Sequence, residues 1–193
     1  FRLCGQTSIS AERIYVVELI AVQFTELFKS ITSVLKTGPD KTNGHVGALF
    51  NTRQHETAMG HNAEAVANDA HVLYGGDDLS DLGGYFIAPT VLEVTNHESE
   101  IMTRETFGPE IAIMRVKDED EAIEKANSSS YGLSAAVFSK KKRGQKVARR
   151  INAGSVCVND IMTNYLVADL PFGGVGISGI GRVHGPEGLH GFS

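Results

Sequence analysis

The 193-residue chain has no tryptophan, two cysteines and five prolines, and aromatic side chains make up 7% of it. Two cysteines, Cys4 and Cys157, cannot build a disulfide scaffold, so the composition points to a reducing, cytoplasmic setting rather than secretion. Each thiol reads as a small buried hydrophobe. No apolar run approaches the ~20 residues of a membrane span, and no signal peptide is visible. Positive charge is in short supply too. The 18 Lys and Arg face 23 Asp and Glu, and the net charge of −5 argues against a nucleic-acid binder. The one basic run, Lys140-Lys141-Lys142-Arg143 with Arg149-Arg150 behind it, reads as the solvated start of a helix. The histidines (His45, His55, His61, His71, His97, His184 and His190) have no zincin-type glutamate partner and no cysteine cluster, so no metal site is expected.

What remains is ordinary for a globular chain: 41% hydrophobic and 21% charged residues. This length supports a real core in one domain, or one domain with an appendage. No repeat, low-complexity tract or composition break divides it. The opening Phe1-Arg2-Leu3-Cys4-Gly5 reads as the inside of a domain, and hence as a fragment or processed product.

Hydrophobic periodicity predicts strands at 14–17, His71–Tyr74, Ile111–Val116, Leu133–Phe138 and Ser155–Asn159, with an extended stretch from Phe86 to Val94. Helices are predicted at 18–36, 53–69, 118–127 and Lys141–Ile151. In the first of these, Ile20, Phe24, Leu27, Phe28, Ile31, Val34 and Leu35 form one apolar face. In the second, the apolar positions are Ala58, Ala63, Val66 and Ala67. Residues 77–84 read as a polar turn, and 160–193 as a loop-rich closing segment. Strands alternating with helices argue an α/β fold with a largely parallel sheet.

Three constellations carry chemistry. The first is Gly5-Gln6-Thr7-Ser8, followed by Glu12-Arg13 and a strand. Glu12 is the one carboxylate near Ser8 in sequence that could act on its hydroxyl as a base. The second is Glu105-Thr106-Phe107-Gly108-Pro109. A carboxylate accepts from both hydroxyls of a vicinal diol, and an aromatic face orients a flat heterocycle. The third is the glycine-dense run from Pro171-Phe172-Gly173-Gly174 to Gly181-Arg182, with Asn159 ending the strand before it. Within it, Gly174, Gly176 and Gly179 fit the Gly-x-Gly-x-x-Gly spacing. Asp169-Leu170-Pro171-Phe172 is no convincing strand, so this is not read as a phosphate cradle.

In this order and approximate spacing, the three constellations resemble the C-terminal, catalytic-domain half of the NAD(P)-dependent aldehyde dehydrogenase superfamily. The likeness runs from Phe1 to Phe192 and includes Val46-Gly47-Ala48-Leu49, similar to the family's Val-Gly-Pro-Leu. It implies a three-layer αβα domain of the catalytic-domain type over 1–193, with the Rossmann-type cofactor domain lying upstream. It implies oxidation of an aldehyde with NAD or NADP through a covalent thiohemiacetal and thioester. Ser8 then stands where the family has its nucleophilic cysteine, which puts dehydrogenase chemistry in doubt. Such a serine is a natural loss, an engineered change or a plain structural residue. The resemblance makes Glu105 and Phe107 cofactor contacts. It makes Phe172, Tyr165 and Leu166 the substrate-pocket wall. It also implies a small-molecule aldehyde as partner and a homo-oligomer, with neither nucleic acid nor membrane. A non-catalytic assembly or interaction module of the same fold is the alternative.

Overall fold

A computed structural model describes residues 1–193, and in it the β-branched run near the start of the chain forms β1, Arg13–Val17. Three further strands join it: β2 (His71–Tyr74), β3 (Thr90–Glu93) and β4 (Glu110–Val116). Their order is β1-β4-β3-β2. β1, β4 and β3 run parallel, and β2 adds to the edge antiparallel. β4 is the sheet's centre and almost wholly buried.

Alternation along the strands sorts side chains to two faces. Val16, Val91, Ile111 and Ile113 pack with Ala21, Phe24 and Phe28 of α1 (Glu18–Ser33). On the opposite face, Leu92, Ala112 and Met114 pack with Ala65 of α2 (Thr52–Ala67) and with Ile101 and Met102 of α3 (Glu100–Thr103). This is a three-layer αβα arrangement, contained within one compact unit, Phe1–Asp118.

The second compact unit is Glu119–Ser193. It comprises α4 (Glu119–Asn127), β5 (Ser134–Val137), α5 (Lys141–Ala148) and β6 (Ser155–Val158), the two strands pairing in parallel. The segment read as loop-rich holds two short helices, α6 (Thr163–Leu166) and α7 (Gly185–His190). No helix in the chain is long and apolar enough to cross a membrane.

Two helix faces differ from the periodicity reading. α1 buries Ala21, Thr25 and Thr32, while Ile20, Leu27, Ile31 and Val34 are 51–67% exposed. The threonines are tolerated inside because their hydroxyls donate to the Ala21 and Phe28 carbonyls one turn back, at 2.9 and 2.8 Å. α2, capped by the Asn51 side chain, turns Ala58, His61, Asn62 and Ala65 inward and leaves Ala63, Val66 and Ala67 exposed. Its buried face is part polar because polar partners, described next, wait opposite it.

Candidate functional site

Gly5 has φ +73°, and a Cβ there would overlap the Gly108 carbonyl. This contact needs glycine on both counts, and it packs the Gly5–Ser8 loop against the Glu105–Pro109 loop. Gln6 anchors the first loop. Its amide donates to the Leu3 and Ala48 carbonyls, and its oxygen accepts from the Phe50 N–H at 2.8 Å. Thr7 and Ser10 close a turn (2.7 Å) that carries Ser8 at its exposed tip. No side chain hydrogen bonds to the Ser8 hydroxyl. Cys4 lies beneath, 1% exposed among Val46, Leu49, Ala58 and Ile87. Burial pushes its thiol up to about 12, so it is an inert core residue.

Glu12 does not turn toward Ser8. Its two carboxylate oxygens accept from the N–H groups of Thr106 and Phe107, at 3.0 and 2.9 Å. Thr106 is 1% exposed. Its carbonyl accepts from the Gln54 amide, and its hydroxyl lies 3.0 Å from His61 Nδ1. Burial lowers the His61 pKa, which favours the neutral ring. On either side, Glu105 is exposed and in no ion pair, while Phe107 is half-buried with φ +52°. Glu110 lies behind the loop, 2% exposed, with one oxygen 3.5 Å from Asn62 Nδ2 and the other without a partner. Burial raises its pKa to about 8, so this carboxyl is protonated at neutral pH.

In the second unit, Phe172 is 6% exposed and paired with Val183 through two 2.7 Å backbone bonds. Tyr165 meets the Phe172 ring edge-on at 5.2 Å and lies 5.3 Å from the His184 ring. Leu166, next on α6, is exposed. The glycine run is closed by backbone bonds: Val175 and Gly154 N–H both reach the Gly132 carbonyl at 2.9 Å. Around Gly174–Gly179 the chain forms only a short 3-10 turn, Gly176–Ser178. Asn159 has φ +60° and exchanges two 3.0 Å side-chain bonds with the Ser139 backbone.

The loop residues with chemistry were visible in the sequence; their supports, Gln54, His61 and Glu110, were not. The signals that hinted at them were a histidine and an asparagine on the inner face of a helix and a carboxylate opening an apolar strand.

Set beside known proteins, the aldehyde dehydrogenase family model matches residues 1–193. The protein named "Putative succinate-semialdehyde dehydrogenase (NADP(+)) 2" from Mycobacterium ulcerans is 43% identical over 195 residues, covering 98% of this chain and 37% of that protein. A 4,4'-diapolycopene aldehyde oxidase of a Methylomonas species is 37% identical, covering 98% of this chain and 35% of that protein. Betaine aldehyde dehydrogenase from Staphylococcus aureus, solved in complex with NAD+, superimposes with a TM-score of 0.91 at 33% identity, covering 98% of this chain and 38% of that one. The chain thus spans about 37% of the length of the curated relatives most similar to it among these.

Proposed function

The chain belongs to the aldehyde dehydrogenase family, and on that premise we propose that it is the catalytic-domain portion of an enzyme oxidising an aldehyde to a carboxylic acid with NAD or NADP. The observation that supports this most is the packing of Gly5 on the Gly108 carbonyl, which sets the Ser8 turn beside the Glu105–Phe107 loop.

The residues present suit a nicotinamide dinucleotide. Glu105 offers a free, exposed carboxylate to a ribose diol. The half-buried Phe107 ring offers a flat face to a heterocycle. When bound, the dinucleotide supplies the hydride acceptor. In the second unit, Tyr165 against the buried Phe172 and the exposed Leu166 beside it are the apolar residues this reading assigns to the aldehyde. Ser8 holds the nucleophile position, and its backbone N–H would stabilise an oxyanion developing on the substrate. Its hydroxyl is a far weaker acid than a thiol and needs an adjacent base. Glu12 is not placed as that base: its carboxylate is directed to the Thr106 and Phe107 N–H groups and makes no hydrogen bond to Ser8. Poor turnover by this chain follows. The same vacancy of a base favours the second reading, a non-catalytic module of the same fold. The apolar stripe on α1 and its C-cap (Ile20, Leu27, Ile31 and the capping Val34) is a surface for self-association; a monodisperse monomer in light scattering at high concentration would contradict that.

The test compares the chain with Ser8→Cys over a panel of aldehydes, following reduction of NAD and NADP. A gain of at least ten-fold in the variant supports the dehydrogenase reading, and silence in both favours the module. Alkylation is the control. The new thiol, on its exposed turn, reacts with iodoacetamide, while Cys4 stays unmodified.

A further inference from the structure

We infer that Glu12 is a positioning residue, whose carboxylate clamps the Thr106 and Phe107 N–H groups and so fixes the directions of Glu105 and Phe107. The inference rests on the reading that those two side chains hold the cofactor's ribose and nicotinamide.

Glu12 is itself rigid. Its carbonyl accepts from the Ala112 N–H at 2.9 Å, so its backbone belongs to the β1–β4 ladder. Two consecutive N–H groups in an irregular loop have no strand or helix partner, and two acceptor oxygens on one side chain match them. The demand is greater because Phe107 is a left-handed aromatic residue, a backbone state that persists only when its surroundings impose it. Gln54 and His61 complete the grip, so the N–H, carbonyl and hydroxyl of Thr106 are each engaged by a side chain from outside the loop. Glu105 and the Phe107 ring are left without polar ties of their own. The loop is therefore held from behind while its front stays open, the arrangement that pre-organises a binding group. Glu12 also lies four residues beyond Ser8, so its clamp adds a second tie, beside the Gly5–Gly108 packing, between the chain that carries the nucleophile turn and the cofactor loop.

The charged groups acting on Glu12 are Glu105 and Arg13, while Glu12 in turn acts on Glu110. Burial raises the Glu12 pKa and the two N–H bonds oppose the rise, leaving it above the ordinary glutamate value.

The experiment is amide NMR on the full 193-residue chain and on Glu12→Gln, together with NADH titration of both by fluorescence. In the wild type, the Thr106 and Phe107 amide protons shift together as Glu12 titrates, at a midpoint above an ordinary glutamate. In E12Q that coupled shift vanishes. Hydrogen exchange at the two amides speeds at least ten-fold while Val91 and Ile113 are unchanged, and NADH affinity falls at least ten-fold. Should E12Q not fold, the wild-type titration alone decides. Amides that do not titrate with Glu12 overturn the inference. Amides that titrate and loosen while NADH affinity stays the same, or a wild type that binds no NADH, overturn the ribose reading instead and leave the clamp standing.

Discussion

Two loops of this protein are held by opposite means. The Glu105–Pro109 loop is gripped by side chains from elsewhere: Glu12, Gln54 and His61 hold its polar groups, and Glu110 lies buried behind it. The Phe172–Arg182 loop is held mainly by backbone against backbone, through the Phe172–Val183 pair and the Val175 and Ile177 N–H bonds to Gly132 and Ser130, with the Ser178 hydroxyl and the Arg182 guanidinium as its side-chain ties. The first kind of hold depends on protonation states and on particular side chains. The second depends on the absence of a Cβ and is indifferent to pH. Side-chain supports fix the direction in which the first loop points its exposed carboxylate and half-buried ring. A loop that must pass close to its own domain gains from glycine.

The largest way to expose the difference is pH. In an unfolded chain Glu110 titrates near 4.5, and the fold raises this to about 8. The folded state therefore holds a proton that the unfolded state releases. Stability from this group is complete below the unfolded pKa and is lost as pH rises through the folded one. The loss is on the order of 4 kcal/mol between pH 4 and 9. Glu110→Gln removes that slope. Urea denaturation of the variant at pH 9 gives the higher midpoint, while at pH 4 the two proteins match.

Next in size is Gly154→Ala. A Cβ there would overlap the Gly173 carbonyl oxygen, and the only relief is movement of backbone. The cost is about 3 kcal/mol, the same at pH 5 and pH 9, because no titratable group takes part. A cost that varied with pH would erase the contrast between the loops. The smallest effect is Ser178→Ala. The Ser178 hydroxyl accepts from the Gly132 N–H at 2.8 Å, one of the few side-chain ties in this region. Its removal lowers stability by about 1 kcal/mol in the same denaturation series. A larger loss would mean that the glycine loop leans on side chains after all.

The sequence carried much of the frame. β1, β2 and β4 lie within a residue of the strands read from the sequence, and α4 and α5 begin within a residue of expectation. The Glu105–Pro109 motif and the Ser8 turn were legible as motifs, since each is a contiguous run of residues. α2 was legible as a helix and misread as to its face. Alanines at 58, 63 and 67 carry too little hydrophobicity to orient it, and the polar partners Thr106 and Glu110 drew His61 and Asn62 inward.

Sequence alone therefore determined the order and kind of the longer elements, because periodicity and turn chemistry are properties of neighbours along the chain; the four- to six-residue helices α3, α6 and α7 are too short to carry a period and went unread. It also marked the short runs, Gly5–Ser8 and Glu105–Pro109, whose side chains are candidates for chemistry. Tertiary structure alone decided what those groups face. Ser8 lacks a base, Glu12 spends its carboxylate on Thr106 and Phe107, and Glu110 keeps its proton in the core. The physical reason is that a hydrogen-bond partner or a desolvating neighbour is supplied by whatever packs opposite, and the Glu12 bonds join residues 94 and 95 positions apart.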